Sequence, residues 1–102
     1  MSALLIAECR WETRLGARYM TQLCKHWAHR LRVTLNERDG RIDFEGGFCE
    51  LWAEPDALRM RVSAADAEQL AILQGVVIRH LQRFAFRDMT EAQAAALPWV
   101  LV

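Results

Sequence analysis

Serine is almost missing from this chain: Ser2 and Ser63 are the only two in 102 residues. Neither sits in a G-x-S-x-G turn, so the serine-hydrolase elbow is excluded. There is no Walker loop and no G-x-G-x-x-G, which removes the familiar phosphate cradles. Glycine and proline are scarce, at five and two, and no linker, repeat or low-complexity tract divides the chain. Cysteine is limited to Cys9, Cys24 and Cys49, an odd number with no C-x-x-C. A disulfide framework would be even and denser, so the expectation is reduced thiols in a cytoplasmic protein. Net charge is zero, thirteen basic residues against thirteen acidic ones. Such a balance does not suit an electrostatically driven nucleic-acid binder. No apolar run approaches the ~20 residues of a membrane span. The start, MSALLIAECRWE, lacks the basic region of a signal peptide. Neither a nucleic-acid nor a membrane partner is expected.

What is present is a core. The chain is 53% hydrophobic and carries nine aromatic residues, four of them Trp, and its length suits one domain. The apolar period changes along it. Ala7, Cys9 and Trp11 alternate with Glu8, Arg10 and Glu12, which predicts a strand. From about Arg14 to Arg30, spacings of three and four through Ala17, Met20, Leu23, Cys24, Trp27 and Leu31 predict an amphipathic helix. Period two then returns in four runs, separated by a turn ending in Asp39-Gly40, by Gly46-Gly47 and by Pro55-Asp56. Ser63 or Asp66 caps a second helix. Its buried stripe is Leu70, Leu73, Val77, Leu81 and Phe84, and it ends near Phe86–Asp88. The predicted order is β-α-β-β-β-β-α. That is an α+β two-layer sandwich with an antiparallel sheet and both helices on one face, a TATA-binding-protein-like architecture. Residues 1–88 form the domain. Residues 89–102 form a C-terminal tail, with one helical turn before Pro98 and an extended end, that packs on the domain or on a partner.

The stretch LCKHWAHR places Cys24, His26 and His29 within six positions, and the question is whether they bind metal. At about 100° per residue, Cys24 lies within roughly 30° of the core direction, His26 near about 130° and His29 about 170° away. Thiol and imidazoles therefore cannot share an ion while the segment stays helical. The helical metal signature is two histidines at i and i+4, and here they are i and i+3. Neither a metal nor a cofactor is expected. His80, on the second helix, flanks the buried stripe. It is either a boundary histidine or the partner of His26 across the two helices.

Charge is unevenly placed. No acid occurs from Thr13 to Asn36, a window with Arg14, Arg18, Lys25, Arg30 and Arg32. None occurs from Gln69 to Arg87, which holds Arg79, Arg83 and Arg87. The helix layer should thus be basic and attract an acidic protein or an anionic small molecule. The opposite sheet face is mixed in charge and should project Phe48 and Trp52. Exposed aromatics there mark an interface, most simply a two-fold homodimer. The six carboxylates of that face, from Glu8, Glu12, Asp43, Glu45, Glu50 and Glu54, would repel phosphate. Pairs such as Glu50 and Glu54 lie on an open surface, whereas acid–base carboxylates need a cleft. No thiol stands beside a base on one helix face. No catalytic residue is identified.

In GARYMTQLCKHWAHR, GRIDFEGG, SAADAEQL and VVIRHLQRFAFRD the chain resembles a bacterial family, domain of unknown function 2218, over about residues 7–88. The blocks agree in order and spacing, while the tail from Met89 departs from the pattern. Members of that family stand alone or fused to siderophore-interacting, flavin-dependent ferric reductase domains. The resemblance implies an association with iron–siderophore handling and a siderophore-interacting reductase as partner. The family's Cys-Lys-His block falls on Cys24, Lys25 and His26, and its Arg-Phe-Ala-Phe-Arg block on Arg83 to Arg87. No catalytic role comes with either. Lys25, His26, His29, His80, Arg83 and Arg87 are the candidate ligand-binding residues, with Phe48 and Trp52 at an interface. The leading expectation is a non-catalytic binding module. A metal- or haem-associated protein using these histidines, and a small enzyme acting with a partner domain, are the alternatives.

Overall fold

Alternating side chains build the sheet first. In a computed structural model describing residues 4–102, β1 (Leu5–Glu12) buries Ala7 and Cys9 and turns Arg10 and Glu12 to solvent. Helix α1 (Gly16–Trp27) follows. Then come β2 (Arg32–Leu35), β3 (Asp39–Phe44), β4 (Gly47–Glu54) and β5 (Ala57–Ala64), helices α2 (Ala67–Phe84) and α3 (Glu91–Ala95), and β6 (Val100–Leu101). The strands form one antiparallel sheet in the order β2-β3-β4-β5-β1-β6. Both long helices cover one face, and the architecture is the α+β sandwich expected from the periodicity.

The core lies between the layers. Met20, Leu23 and Cys24 of α1 and Val77 and Leu81 of α2 are fully buried against Ile42, Leu51, Met60 and Val62 of the sheet. Trp27, the last residue of α1, closes one end, its ring 5.0 Å from Phe44 in a T-shaped contact.

Three local readings change and one choice is decided. Helix α1 is shorter than its apolar spacing predicts. After Trp27 the chain leaves the helix, and the N–H groups of Arg30 and Leu31 both donate to the Trp27 carbonyl. Ala17 is exposed and Tyr19 takes the buried position, because the tyrosine hydroxyl finds a partner in Asp88, far along the chain. The cap of α2 is Asp66, whose carboxylate accepts from the Gln69 N–H at 2.8 Å; Ser63 is a buried member of β5. Asp39-Gly40 is no turn but the start of β3, with Gly40 opposite Leu35. Gly40 is there for close approach, since a Cβ would lie 2.8 Å from the Cys24 sulfur. The tight turn that does need glycine is at Gly46, where φ is +87°.

The tail from Met89 onward lies on its own chain. Thr90 and Gln93 form a capping box that starts α3, Met89 is buried, and β6 pairs with β1 through Leu101 opposite Ala7 and Val100 opposite Glu8. Among the described residues no helix is long and apolar enough to cross a membrane.

Candidate functional site

The two faces of the molecule treat their charges differently. On the open sheet face Arg10, Arg41, Arg59 and Arg61 are paired, while Arg32, Glu45 and Glu50 form no salt bridge among the described residues. Arg10 reaches Glu54 at 3.3 Å and Asp56 at 3.1 Å, and Arg59 meets the other Glu54 oxygen at 3.6 Å. Arg61 holds Glu8 with its Nε at 2.7 Å, and Arg41 holds Asp43 at 2.9 Å. Each such exposed pair contributes only about 0–1 kcal/mol, but together they offset the positive charge of these four arginines. Phe48 and Trp52 do project there. Each is half-buried under guanidinium groups, Arg41 lying 3.9 Å from the Phe48 ring centre and Arg59 4.8 Å from that of Trp52.

On the helix layer the cations stand alone. Among the described residues, none of Arg14, Arg18, Lys25, Arg30, Arg79, Arg83 and Arg87 forms a salt bridge. Acid-free sequence windows, folded onto one side of a sheet, leave the layer with uncompensated positive charge.

Along the seam of this layer α1 runs antiparallel to the C-terminal half of α2. His26 lies opposite His80, with ring centres 5.1 Å apart, and Tyr19 opposite Asp88. His26 also meets the edge of Phe84 at 5.8 Å, and His80 lies 4.6 Å from Trp27. His80 Nδ1 is 2.7 Å from the Val76 carbonyl oxygen. A carbonyl can only accept, so Nδ1 carries a proton here, and in the neutral form of the ring the lone pair is on Nε2. Loss of water, then the charges of His80, Arg83, Arg30 and His29, hold the His26 pKa below its ordinary value. Cys24 is fully buried on the other side of α1, its thiol pushed up to about 11 by burial. His29 is exposed. The structure thus joins His26 to His80 and separates both from the thiol. Among the described residues no group of three or more His, Cys, Asp and Glu side chains is placed to hold a metal ion.

Arg83 and Arg87 are exposed on and just past the last turn of α2, and Lys25 is exposed on α1. Two cavities flank them. One of about 590 Å³ lies between α2 and α3, with Arg79, Arg83, Glu91 and Trp99 in its wall. The other, about 490 Å³, lies at the α1–α2 seam beside Arg18, Tyr19, Gln22, Phe84, Phe86 and Arg87. Arg18 and Gln22 were absent from the candidates chosen on sequence. Their one signal there is the four-residue spacing that puts them on the same helix face; nothing in a single sequence links them to Phe86.

The comparisons with known proteins agree with this fold and leave the chemistry open. No curated protein matches the chain. The NMR structure of PA4090 from Pseudomonas aeruginosa is similar, with a TM-score of 0.70 and 36% identity over 98% of this chain and 96% of that one. Residues 8–93 match a family described as uncharacterised proteins conserved in bacteria. The chain belongs to that family, DUF2218.

Proposed function

We propose that this protein is a non-catalytic binding module that docks an acidic protein surface on its helix layer. One observation carries the reading: four arginines of the sheet face are paired with carboxylates, whereas the cations of the helix face form no salt bridge among the described residues. A neutral chain built this way presents an oriented positive surface, which steers an acidic partner without attracting polyanions from every side. The family resemblance supplies a setting, iron–siderophore handling, in which a siderophore-interacting reductase domain is the partner.

Polyglutamate serves as a probe for such a surface. Its affinity should fall steeply between about 0.01 M and about 0.15 M salt, as the Debye length shrinks from about 30 to about 8 Å. Replacing both Arg83→Gln and Arg87→Gln should weaken low-salt binding by about fivefold, two exposed ion pairs' worth. Arg59→Gln with Arg61→Gln should leave it unchanged. Equal low-salt affinity for wild type and the Arg83/Arg87 variant rejects the reading.

The His26–His80 pair favours a second reading, an imidazole-held metal ion. A metal–nitrogen bond of about 2.0–2.1 Å puts a ring centre roughly 3.2 Å from the ion. Centres 5.1 Å apart lie within the roughly 6.4 Å that two such bonds can span. The Val76 carbonyl holds His80 as backbone acceptors hold ligating histidines. Water or a partner would complete the coordination. Elemental analysis of protein purified without an affinity tag should find about one ion per chain, lost in His26→Gln and His80→Gln. Substoichiometric metal ends this reading.

A further inference from the structure

We propose that the cavity at the α1–α2 seam binds a small aromatic monocarboxylate, clamped between Arg18 of α1 and Arg87 past the end of α2. The inference rests on the anionic reading of the helix layer and gives it a small-molecule site.

Charge sets the first requirement. Arg18 and Arg87 line the cavity and form no salt bridge among the described residues, and the acid in its lining is Asp88. That carboxylate already accepts the Tyr19 hydroxyl proton. Two cations against one partnered acid leave an excess of one positive charge, which suits a monoanion. Guanidinium groups bind carboxylates in a two-pronged planar geometry.

The walls set the second requirement. Phe84 is half-buried, and Phe86 is 61% exposed, beside Leu15 at 41%. An exposed phenylalanine at the rim of a charged cavity buries no core surface. It does offer a flat ring face, and the Arg87 guanidinium lies 5.5 Å from its centre. Offset stacking on such rings favours a planar aromatic body over an aliphatic one. A volume of about 490 Å³ falls within the usual range for small-molecule sites.

The test uses the whole protein and 1-naphthoate, followed by calorimetry and by the chemical shifts of Arg18 and Phe86. Saturable binding with Kd on the order of 1 mM is expected for a ligand of this size. Arg18→Gln and Arg87→Gln should each weaken it by about tenfold. Phe86→Ala, an exposed and uncharged change, should weaken it by about threefold while leaving polyglutamate binding intact. That arm separates failure of this site from failure of the docking reading. Cyclohexanecarboxylate should bind several-fold more weakly than the naphthoate. The proposal is overturned by absence of saturation at about ten times the expected Kd. Equal affinity for the two acids overturns it too. So does loss of binding in Arg79→Gln but not in Arg18→Gln, which would put the acid in the α2–α3 groove.

Discussion

Replacing Trp27 with alanine should destabilise the protein by about 3–5 kcal/mol, the usual loss for a buried tryptophan. Typical domains have only about 5–15 kcal/mol of stability in total, so the variant should lose a large share of its stability. Trp27 is 8% exposed and ends α1. Its ring meets Phe44 of β3 at 5.0 Å and His80 of α2 at 4.6 Å, so one side chain joins both helices to the sheet. Trp27→Phe keeps an aromatic edge in the same place and should lose less than half as much. Urea denaturation followed by circular dichroism measures both. A loss under about 1 kcal/mol for the alanine variant would mean that the helices are held elsewhere.

The same glycine-to-alanine change should have opposite signs at two positions. At Gly47 a Cβ would fall 2.2 Å from the Ser63 carbonyl oxygen and 2.6 Å from Leu73 Cδ1. The oxygen belongs to the neighbouring strand and cannot swing away. Gly47→Ala should therefore cost about 3 kcal/mol or more, at the top of the overpacking range. Gly75, in the middle of α2, is different. The nearest atom to a Cβ there is Arg79 Nη1 at 2.9 Å, the tip of a flexible side chain. Gly75→Ala should stabilise the protein by about 0.5–1 kcal/mol, through helix propensity and a less disordered unfolded chain. Denaturation midpoints decide it. A stabilised Gly47→Ala or a destabilised Gly75→Ala contradicts this account of why each glycine is present. Gly75 also lines the groove between α2 and α3, so its alanine variant shows whether that groove needs the space.

Much of the fold can be read from periodicity, because burial repeats along the chain at the step of each element. Cys9 and Trp11 alternate with Arg10 and Glu12, and that pattern is β1. The helical step places Cys24 inward, and the structure agrees; His29 is also exposed, but in the turn past the end of α1 where that step no longer applies. Tyr19 escapes this logic. Its burial depends on Asp88, 69 positions away, and no local period encodes that contact. Gly40 misleads for a related reason: beside Asp39 it imitates a turn, whereas the space it leaves is for the Cys24 sulfur of another element. The candidate site divides in the same way. Arg83, Arg87 and Lys25 are visible as cations in acid-free runs. That they remain unpaired follows only from strand order, which brings Arg10 and Arg59 to Glu54 and keeps the carboxylates on the far face.

The last residues of the chain also cover part of a sheet margin. A strand at a sheet margin offers unpaired N–H and C=O groups to any passing chain, and growth from such a margin leads to ribbons and fibres. Val100 and Leu101 occupy that margin alongside Ala7 and Glu8, and Val102 donates its N–H to the Ile6 carbonyl. Beyond them β1 carries the ions Arg10 and Glu12. At the opposite margin β2 is four residues long and opens on Arg32. Cutting away the final residues would uncover the longer margin, and the first symptom would be precipitation of folded protein, well before any loss of its core.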